Sequence, residues 1–409
     1  MVTLDIQNLF IEIPRKYHFP IINYTLVATK PQSTQKTHRS LFTLFAVKYI
    51  NPQIFVLQNL RLLDFRCFSS LALDTSPAGA IFTGQNAQGK TSLLEAICTL
   101  IRLQSPRTNR LNTLTKISAP GFGIAGNPWG QERKIQQTSK GLLLKSDGEP
   151  RHSRTDYLAD GGLVVWMGNE DLGLIRGPGE SRRNYLDFLG AQLDPKYRTA
   201  YTRYRRALKA KNLLLKEPKL RLPELLAYED ILIEHGTYLT QSRQQLIADL
   251  SPLAAAAQID ISGKNEELTL SYLPASGPSM KESILQARQR ETSTRQAVVG
   301  PHRDDFSIRL HGMPASDYAS EGQQRTIALA LKLAQGDLLQ QRCTKTPIYL
   351  LDDIFGELDP TRRNALLHHL PVNAQKFITT THLGWMESKS PVAPLPIFEV
   401  NNHTITPRS

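Results

Sequence analysis

The chain has 409 residues, of which 40% are apolar and 21% are charged. This composition is that of a globular protein, and no apolar run approaches the roughly 18 residues that a membrane-spanning helix needs. The 49 basic and 37 acidic residues leave a net charge of +12, which favours a polyanionic partner such as nucleic acid over a merely basic protein. Cys67, Cys98 and Cys343 are too widely spaced for a disulfide framework or a zinc site, so we expect reduced thiols in a cytoplasmic protein.

Residues 1–53 show no clear organisation. Asp5 and Glu12 lie where a secretory signal would have a basic start and an apolar run, which argues against secretion. A coherent pattern begins at residue 54, where the apolar residues of 54–65 predict a strand, a polar turn and a second strand.

The first chemical motif lies between a strand and a helix. Residues 80–83 are apolar, and residues 91–102 have apolar side chains at helical spacing. Between them the chain matches the Walker A pattern GxxxxGK[ST], whose backbone N–H groups surround nucleotide phosphates. Lys90 is predicted to reach the β- and γ-phosphates and Thr91 to hold Mg²⁺. The predicted nucleotide-binding loop consists of Gly84, Gln85, Asn86, Ala87, Gln88, Gly89, Lys90 and Thr91.

The middle of the chain is helical and basic. Residues 182–219 contain eleven basic and only three acidic residues. In residues 225–250, apolar positions recur at alternating steps of three and four, with His235 and Ser242 as weak points. This pattern predicts a heptad-like seam long enough for an antiparallel helical arm.

The last third returns to alternating strands and helices. Residues 323–339 have helical periodicity, and 377–380 predict another short strand. The apolar residues 347–351 end at Asp352 and Asp353, which is typical of a Walker B strand. We assign Asp352 to Mg²⁺ and Asp353 to polarising the attacking water. Because the two Walker motifs are so far apart, the helical segment between them is predicted to be an insertion into the ATPase.

A third motif precedes Walker B. Residues 320–325, Ser-Glu-Gly-Gln-Gln-Arg, resemble the signature motif of ABC-type ATPases. In that superfamily the signature completes the nucleotide site of the opposite subunit, which gives Ser320, Gly322 and Gln323 a role in gripping the γ-phosphate. A capped helix start is the alternative reading of Ser320. Residues 354–359 follow Walker B at the position of a D-loop, and His382 lies where such ATPases carry a switch histidine.

Taken together, these residues resemble the RecF family of bacterial recombination mediators over roughly residues 54–385. The Pro-His-Arg-Asp-Asp run within 300–305 and the Gly-Gln-Gln-Arg signature are the most specific parts of the resemblance. The matching blocks are residues 64–66, 84–91, 93–97, 169–172, 182–187, 300–305, 320–325, 328–334, 350–353 and 357–359.

The resemblance implies an α/β fold: an ABC/SMC-head-like P-loop ATPase lobe with an inserted, mainly helical arm domain. The implied division is an N-terminal extension (1–53), a first ATPase segment (54–180), a basic helical arm (181–295) and a second ATPase segment (296–409). The implied activity is that of a weak, DNA-stimulated ATPase that uses ATP and Mg²⁺. The implied dimer is driven by ATP, which lies between Lys90 of one subunit and Ser320 of the other. The implied partners are gapped or junction DNA, RecR, RecO and RecA, without a membrane.

The chain departs from the family pattern at several positions. Ala87 replaces a glycine of the phosphate loop, Cys67 replaces a polar residue, and residues 167–169 differ from the usual Ser-Pro. Residues 1–53 precede the family pattern and are interpreted either as a mis-assigned start or as a basic extension, which the intact mass of the native protein would distinguish. Two other functions remain open: an SMC-related ATPase of the overcoming-lysogenisation type, and the ATPase subunit of a transporter.

Overall fold

The computed structural model describes residues 56–108, 110–386, 392 and 394–408. The N-terminal extension predicted over residues 1–53 lies outside the described residues, so both interpretations of it stay predictions. All three cysteines are free thiols. Within the described ranges, no helix has both the length and the apolar character needed to cross a bilayer.

The described segments alternate between strands and helices. In chain order the strands are β1 Leu57–Phe65, β2 Phe68–Asp74, β3 Gly79–Thr83, β4 Phe122–Pro128, β5 Arg133–Thr138, β6 Gly141–Ser146, β7 Glu149–Arg151, β8 Val164–Gly168, β9 Leu268–Leu273, β10 Asp305–Leu310, β11 Met313–Pro314, β12 Ile348–Asp352, β13 Lys376–Thr380, β14 Ile397–Asn401 and β15 Thr404–Pro407. The α-helices are α1 Lys90–Arg102, α2 Arg154–Ala159, α3 Gly173–Arg176, α4 Gly179–Leu193, α5 Pro195–Leu214, α6 Leu222–Ser262, α7 Met280–Thr294, α8 Ala315–Tyr318, α9 Glu321–Arg342 and α10 Pro360–His369.

A mixed sheet forms the centre of the lobe that carries both Walker motifs. Its strand order is β15-β14-β3-β13-β12-β8, and all neighbours are parallel except β15. Every residue of β3, β8, β12 and β13 is buried, as expected for parallel strands that are covered on both faces. The carboxyl ends of β3 and β12 therefore carry both Walker motifs to one edge of the sheet.

A second, antiparallel sheet has the order β2-β1-β4-β5-β6-β7. The strand–turn–strand prediction for 54–65 is wrong over its described part, because β1 runs unbroken through Gln58 and Asn59. These polar residues are not buried, and the register against β4 shifts between Leu57 and Leu60. The polar residues that resemble a turn therefore lie at a local irregularity of a continuous strand.

The predicted helical arm consists mainly of α5 packed on the first half of α6. The heptad prediction is confirmed as one continuous helix of 41 residues, and its leucine positions are buried. His235 is also buried, whereas Ser242 is only half-buried. The second half of α6 packs in the main core together with α9. Since that core draws residues from all three predicted segments, their boundaries stay predictions.

The segment 300–305, which contains the Pro-His-Arg-Asp-Asp run, joins the arm to the lobe with the Walker motifs. Nε and Nη2 of Arg182 donate to the two carboxylate oxygens of Asp305, at 2.7 and 2.8 Å. Nη1 of Arg183 donates to the carbonyl of Asp304 at 2.9 Å. The fully buried carboxylate of Asp304 accepts from the backbone N–H of Ala275 at 2.7 Å. Two blocks that are distant in sequence are therefore joined by partly buried polar contacts.

His302 fills the space beneath the arm. Its Nδ1 lies 2.6 Å from the hydroxyl of Tyr204, and its Nε2 lies 3.1 Å from the carbonyl of Ala297. The neutral ring satisfies both contacts, with Nε2 donating and Nδ1 accepting. The backbone of Gly300 has φ +126°, and a Cβ there would lie 2.4 Å from the Tyr204 hydroxyl. Only glycine fits this approach.

His302 should make the fold sensitive to acid. Burial lowers the pKa of His302 to about 4, below the value near 6.5 that an unfolded chain has. The unfolded state then binds the proton first, so stability is lost as the pH falls from about 6.5 towards about 4. Between pH 7 and pH 5 we expect protonation of this group to lower the free energy of unfolding by about 2 kcal/mol.

Thermal unfolding of the wild type and of His302→Gln at the two pH values measures this contribution. The variant should lose less stability on acidification than the wild type, while His368→Gln, at an exposed position, should follow the wild type. An equal loss in all three proteins would contradict the assignment.

Candidate nucleotide site

The phosphate loop lies between β3 and α1, as the Walker A pattern predicts. Lys90 is the first residue of α1, and its side chain is buried. Its Nζ donates to the carbonyls of Gly84 and Gln85, at 2.7 and 2.8 Å. Burial lowers the pKa of Lys90, and the carboxylates of Asp353 and Asp352 oppose that shift. The ammonium group therefore lies inside the loop, where it can exchange these carbonyls for phosphate oxygens.

Three positions of the loop, Gly84, Ala87 and Gly89, have a positive φ. Gly89 has φ +108°, and a Cβ there would lie 2.7 Å from Sγ of Cys67. A side chain at position 89 would therefore collide with Cys67, so the loop needs glycine there. Ala87 has φ +64°, a conformation that costs a residue with a Cβ roughly 1–2 kcal/mol. The departure at Ala87 thus leaves the loop geometry intact but strained.

A strand end brings the Walker B carboxylate to the same place. Asp352 ends β12, and its Oδ1 accepts hydrogen bonds from Thr91 at 2.9 Å and from Thr379 at 2.7 Å. Burial raises the pKa of Asp352, and the two threonine hydroxyls oppose the rise. A hydroxyl and a carboxylate oxygen are hard ligands of the kind that Mg²⁺ takes, alongside waters and phosphate oxygens. The residues present therefore fit that ion.

Asp353 follows in a left-handed conformation, with φ +52°. Its backbone N–H donates to the hydroxyl of Thr379 at 3.0 Å and to the carbonyl of Thr379 at 3.2 Å. The turn separates the two carboxylates: Asp352 contacts Thr91, while Asp353 also lines the cleft. This arrangement allows one carboxylate to serve a cation and the other a water molecule.

The loop and the two aspartates line one cleft with a volume of about 410 Å³. Arg107 and Glu170 line it as well, and no sequence motif predicts a role for either. Glu170 accepts a hydrogen bond from Nε1 of Trp166 at 2.5 Å. Residues 169–172 are one of the blocks of the family resemblance, and that resemblance could have pointed to Glu170 as a site residue. Arg107 lies in a connection without a motif, and only the fold brings it to the cleft.

Arg66 and Glu95 form a paired support next to the loop. Nε and Nη2 of Arg66 donate to the two carboxylate oxygens of Glu95, at 2.8 and 2.7 Å. Glu95 is fully buried and also accepts from the hydroxyl of Ser105. The pair thus anchors the end of β1 to α1.

The signature residues begin α9. Ser320 accepts from the backbone N–H of Gln323 at 3.3 Å, and the Gln323 side chain accepts from the backbone N–H of Ser320 at 2.9 Å. These reciprocal bonds form a capping box. Ser320 is exposed and Gly322 half-buried. Among the residues of this described chain that line the nucleotide cleft, none comes from the signature.

The predicted D-loop is connected to the signature helix through Glu357. Oε1 of Glu357 accepts from Nδ2 of Asn169 at 2.8 Å, and Oε2 accepts from Nη1 of Arg325. Arg325 also pairs with Glu321 at 3.0 Å. The signature helix and the segment after Walker B are therefore held by one set of exposed ion pairs.

Comparisons with known proteins agree with this site. A sequence family described as an AAA domain matches residues 59–248. The DNA replication and repair protein RecF of Cyanothece sp. is 36% identical over 364 residues, which cover 81% of this chain and 94% of that protein. The protein of the same name from Streptococcus pneumoniae is 33% identical, with the same coverage.

The chain belongs to the RecF family. A solved structure titled as the recombination mediator protein RecF bound to ATPrS, in the RecFOR pathway, has a TM-score of 0.77 and 27% identity and covers 86% of this chain and 98% of that one. The Smc head domain of Pyrococcus furiosus has a TM-score of 0.50 at 16% identity, which supports the fold alone. The predicted fold class, an ABC/SMC-head-like ATPase lobe with an inserted arm, is confirmed.

His382 and the C-terminal hairpin lie at the edges of the site in this RecF-family chain. His382 is exposed after β13, and its carbonyl accepts from the hydroxyl of Thr380 at 2.8 Å. Its Nε2 lies 4.0 Å from where a Cβ on Gly356 would be, next to the D-loop rather than in the cleft, and its switch role stays a prediction. From the C-terminal hairpin, the backbone N–H of Asn402 donates to Oε1 of Gln88 at 2.7 Å.

Proposed function

We propose that this chain is an ATP-dependent DNA-binding protein of recombinational repair and replication restart. It binds ATP with Mg²⁺, dimerises on gapped or junction DNA, and hydrolyses ATP slowly to reset the dimer. The observation that carries this proposal is the half-complete cleft, in which Lys90, Thr91, Asp352 and Asp353 converge while the signature residues lie outside.

Within the cleft, each residue has a separate task. The Lys90 ammonium binds the β- and γ-phosphates, and the N–H groups from Gly84 to Thr91 surround them. Thr91 and Asp352 hold Mg²⁺, which neutralises charge on the phosphates when bound. Asp353 orients the attacking water and accepts its proton.

The second half of the site comes from another copy of the chain. Ser320 and Gly322 lie at the exposed start of α9, where N–H groups and the helix dipole favour a phosphate. Gln323 holds the loop through its capping contact with Ser320. A two-fold dimer would place this end against Lys90 of the partner and build two identical sites. The predicted switch role of His382 belongs to the same interface.

The proposed partners follow from the family. The matching solved structures are of RecF proteins of the RecFOR pathway, and we propose RecR, RecO and the loading of RecA for this chain as well. A cytoplasmic location and stimulation of the weak ATPase by DNA complete the proposal. The excess of 49 basic over 37 acidic residues supports DNA as the polyanionic partner.

Mixing two inactive variants tests the composite site. Lys90→Ala keeps an intact signature, and Ser320→Arg keeps an intact phosphate loop, at a cost of about 1 kcal/mol for the lost helix cap. Each variant alone should lose ATP hydrolysis. In an equal mixture, random dimers restore one intact site in each heterodimer, so about a quarter of the wild-type rate per chain should return.

The control mixture combines Lys90→Ala with Asp353→Asn. Both changes lie in the same half of the site, so no heterodimer of this pair contains an intact site and activity should stay at the level of the separate variants. Recovery in the control mixture, or its absence in the test mixture, would contradict a site shared between two copies.

A further inference from the structure

The helix α5 presents an unusual excess of charge. Its 20 residues include seven basic side chains and no acidic one. Lys211 is buried and pairs with Glu229 and Glu291, at 3.2 and 2.5 Å. Among the described residues, the other six cations of α5 form no ion pair. Such a helix is costly to assemble without an external anion, because its like charges repel one another.

Part of this charge faces a trough of about 890 Å³ between α5, α4, α2 and the end of α1. Seven of the residues that line it are basic and two are acidic. Of the acidic ones, Asp187 is already paired with Arg243 at 2.7 Å. The exposed cations of the trough are Arg154, Arg205, Arg206, Lys209 and Lys216.

Arg198 marks the floor of the trough. Its Nε and Nη1 are buried and have no hydrogen-bond acceptor among the described residues. Burial lowers the pKa of Arg198, and the nearby charge of Arg133 lowers it further. A guanidinium that is buried, unpaired and close to a second guanidinium is destabilised unless an anion reaches it.

The spacing of the cations selects the kind of anion. From Arg198 to Lys209, α5 advances by about 17 Å at 1.5 Å per residue, and Arg205 lies on the same face with its guanidinium 5.8 Å from the ring centre of Tyr201. A lone phosphate ion would engage one or two of these groups. A nucleic acid strand, with a phosphate every ~3.4 Å along the duplex axis, matches the whole row.

We infer that the trough beside α5 is a docking surface for the phosphate backbone of nucleic acid, separate from the nucleotide cleft. The inference rests on the proposed DNA-binding function and gives it a location on this chain. Binding there engages phosphates and not base edges, so it should depend strongly on salt and little on sequence.

Two charge-matched double variants on one helix test this surface. Arg205→Ala/Lys209→Ala removes two exposed cations that line the trough, and Lys196→Ala/Arg203→Ala removes two exposed cations of α5 outside it. The measurement is fluorescence anisotropy of the full chain with a labelled gapped duplex and ATP at several salt concentrations. At about 0.1 M salt, the trough variant should bind about tenfold more weakly, and its logarithmic salt slope should be smaller by about 2.

The control variant carries the same change of net charge and should keep an affinity within about twofold of the wild type. Equal losses in both variants, or none in either, would overturn the inference. Thermal melting of both variants shows whether they fold. Absence of DNA binding by the wild type would instead count against the proposed function, and nucleotide affinity measured without DNA reports on the cleft separately.

Discussion

Lys90→Ala is expected to weaken ATP binding by at least about 100-fold, because the ammonium group is the cation placed to meet the β- and γ-phosphates. Hydrogen bonds to charged groups contribute about 1.5–3 kcal/mol each, and two such contacts exceed the ~2.7 kcal/mol that a factor of 100 requires. The fold should survive, since the carbonyl partners Gly84 and Gln85 lie in a loop that is open to water.

Titration with a fluorescent ATP analogue in the presence of Mg²⁺ measures the loss. Lys140→Ala removes the same charge at an exposed position between β5 and β6 and should keep wild-type affinity. If Lys90→Ala binds the analogue as tightly as Lys140→Ala does, the phosphate-loop assignment fails.

Arg243→Ala should lower the free energy of unfolding by roughly 3–5 kcal/mol, the range expected when one partner of a buried ion pair is removed. Nη2 of Arg243 donates to Asp187 at 2.7 Å, and Nη1 donates to the carbonyl of Pro301 at 2.6 Å. The side chain of Arg243 is only 3% exposed. Without it, the carboxylates of Asp187 and of the fully buried Asp304 lose their shared counter-ion.

Urea unfolding followed by circular dichroism measures this change. Arg203→Ala, on the exposed face of α5, serves as the control and should stay within about 0.5 kcal/mol of the wild type. Arg243→Met keeps most of the side-chain volume but not the charge. If it were as stable as the wild type, packing rather than charge pairing would explain the position.

The sequence identified the parts of the fold in which local pattern and function coincide. Residues 90–102 and 348–352 are an amphipathic helix and a fully buried strand, each next to a Walker motif, and both were predicted. The antiparallel strands β4 to β7 were not predicted, because they are short and only eight of their 22 residues are buried. A strand of this kind becomes recognisable only when its neighbours pair with it.

The site was predicted to a similar extent. The loop residues and both aspartates lie where the motifs predict, because each motif specifies a strand end or a helix start. Arg107 and Glu170 were missed as cleft residues because they reach it from separate elements. The Asn402 contact to Gln88 depends on β14 pairing with β3, a non-local arrangement that joins Ile397 to Ile81. No local pattern in either segment contains that information.

The unbroken helix α6 has a mechanical consequence. Its second half is fixed in the main core, and about 24 residues extend beyond the core into the arm, a length of about 36 Å at 1.5 Å per residue. A stiff rod of this length converts a tilt of 5° at its base into a displacement of about 3 Å at its far end. A small tilt at the base of the arm is therefore magnified at its tip without any unfolding of the helix.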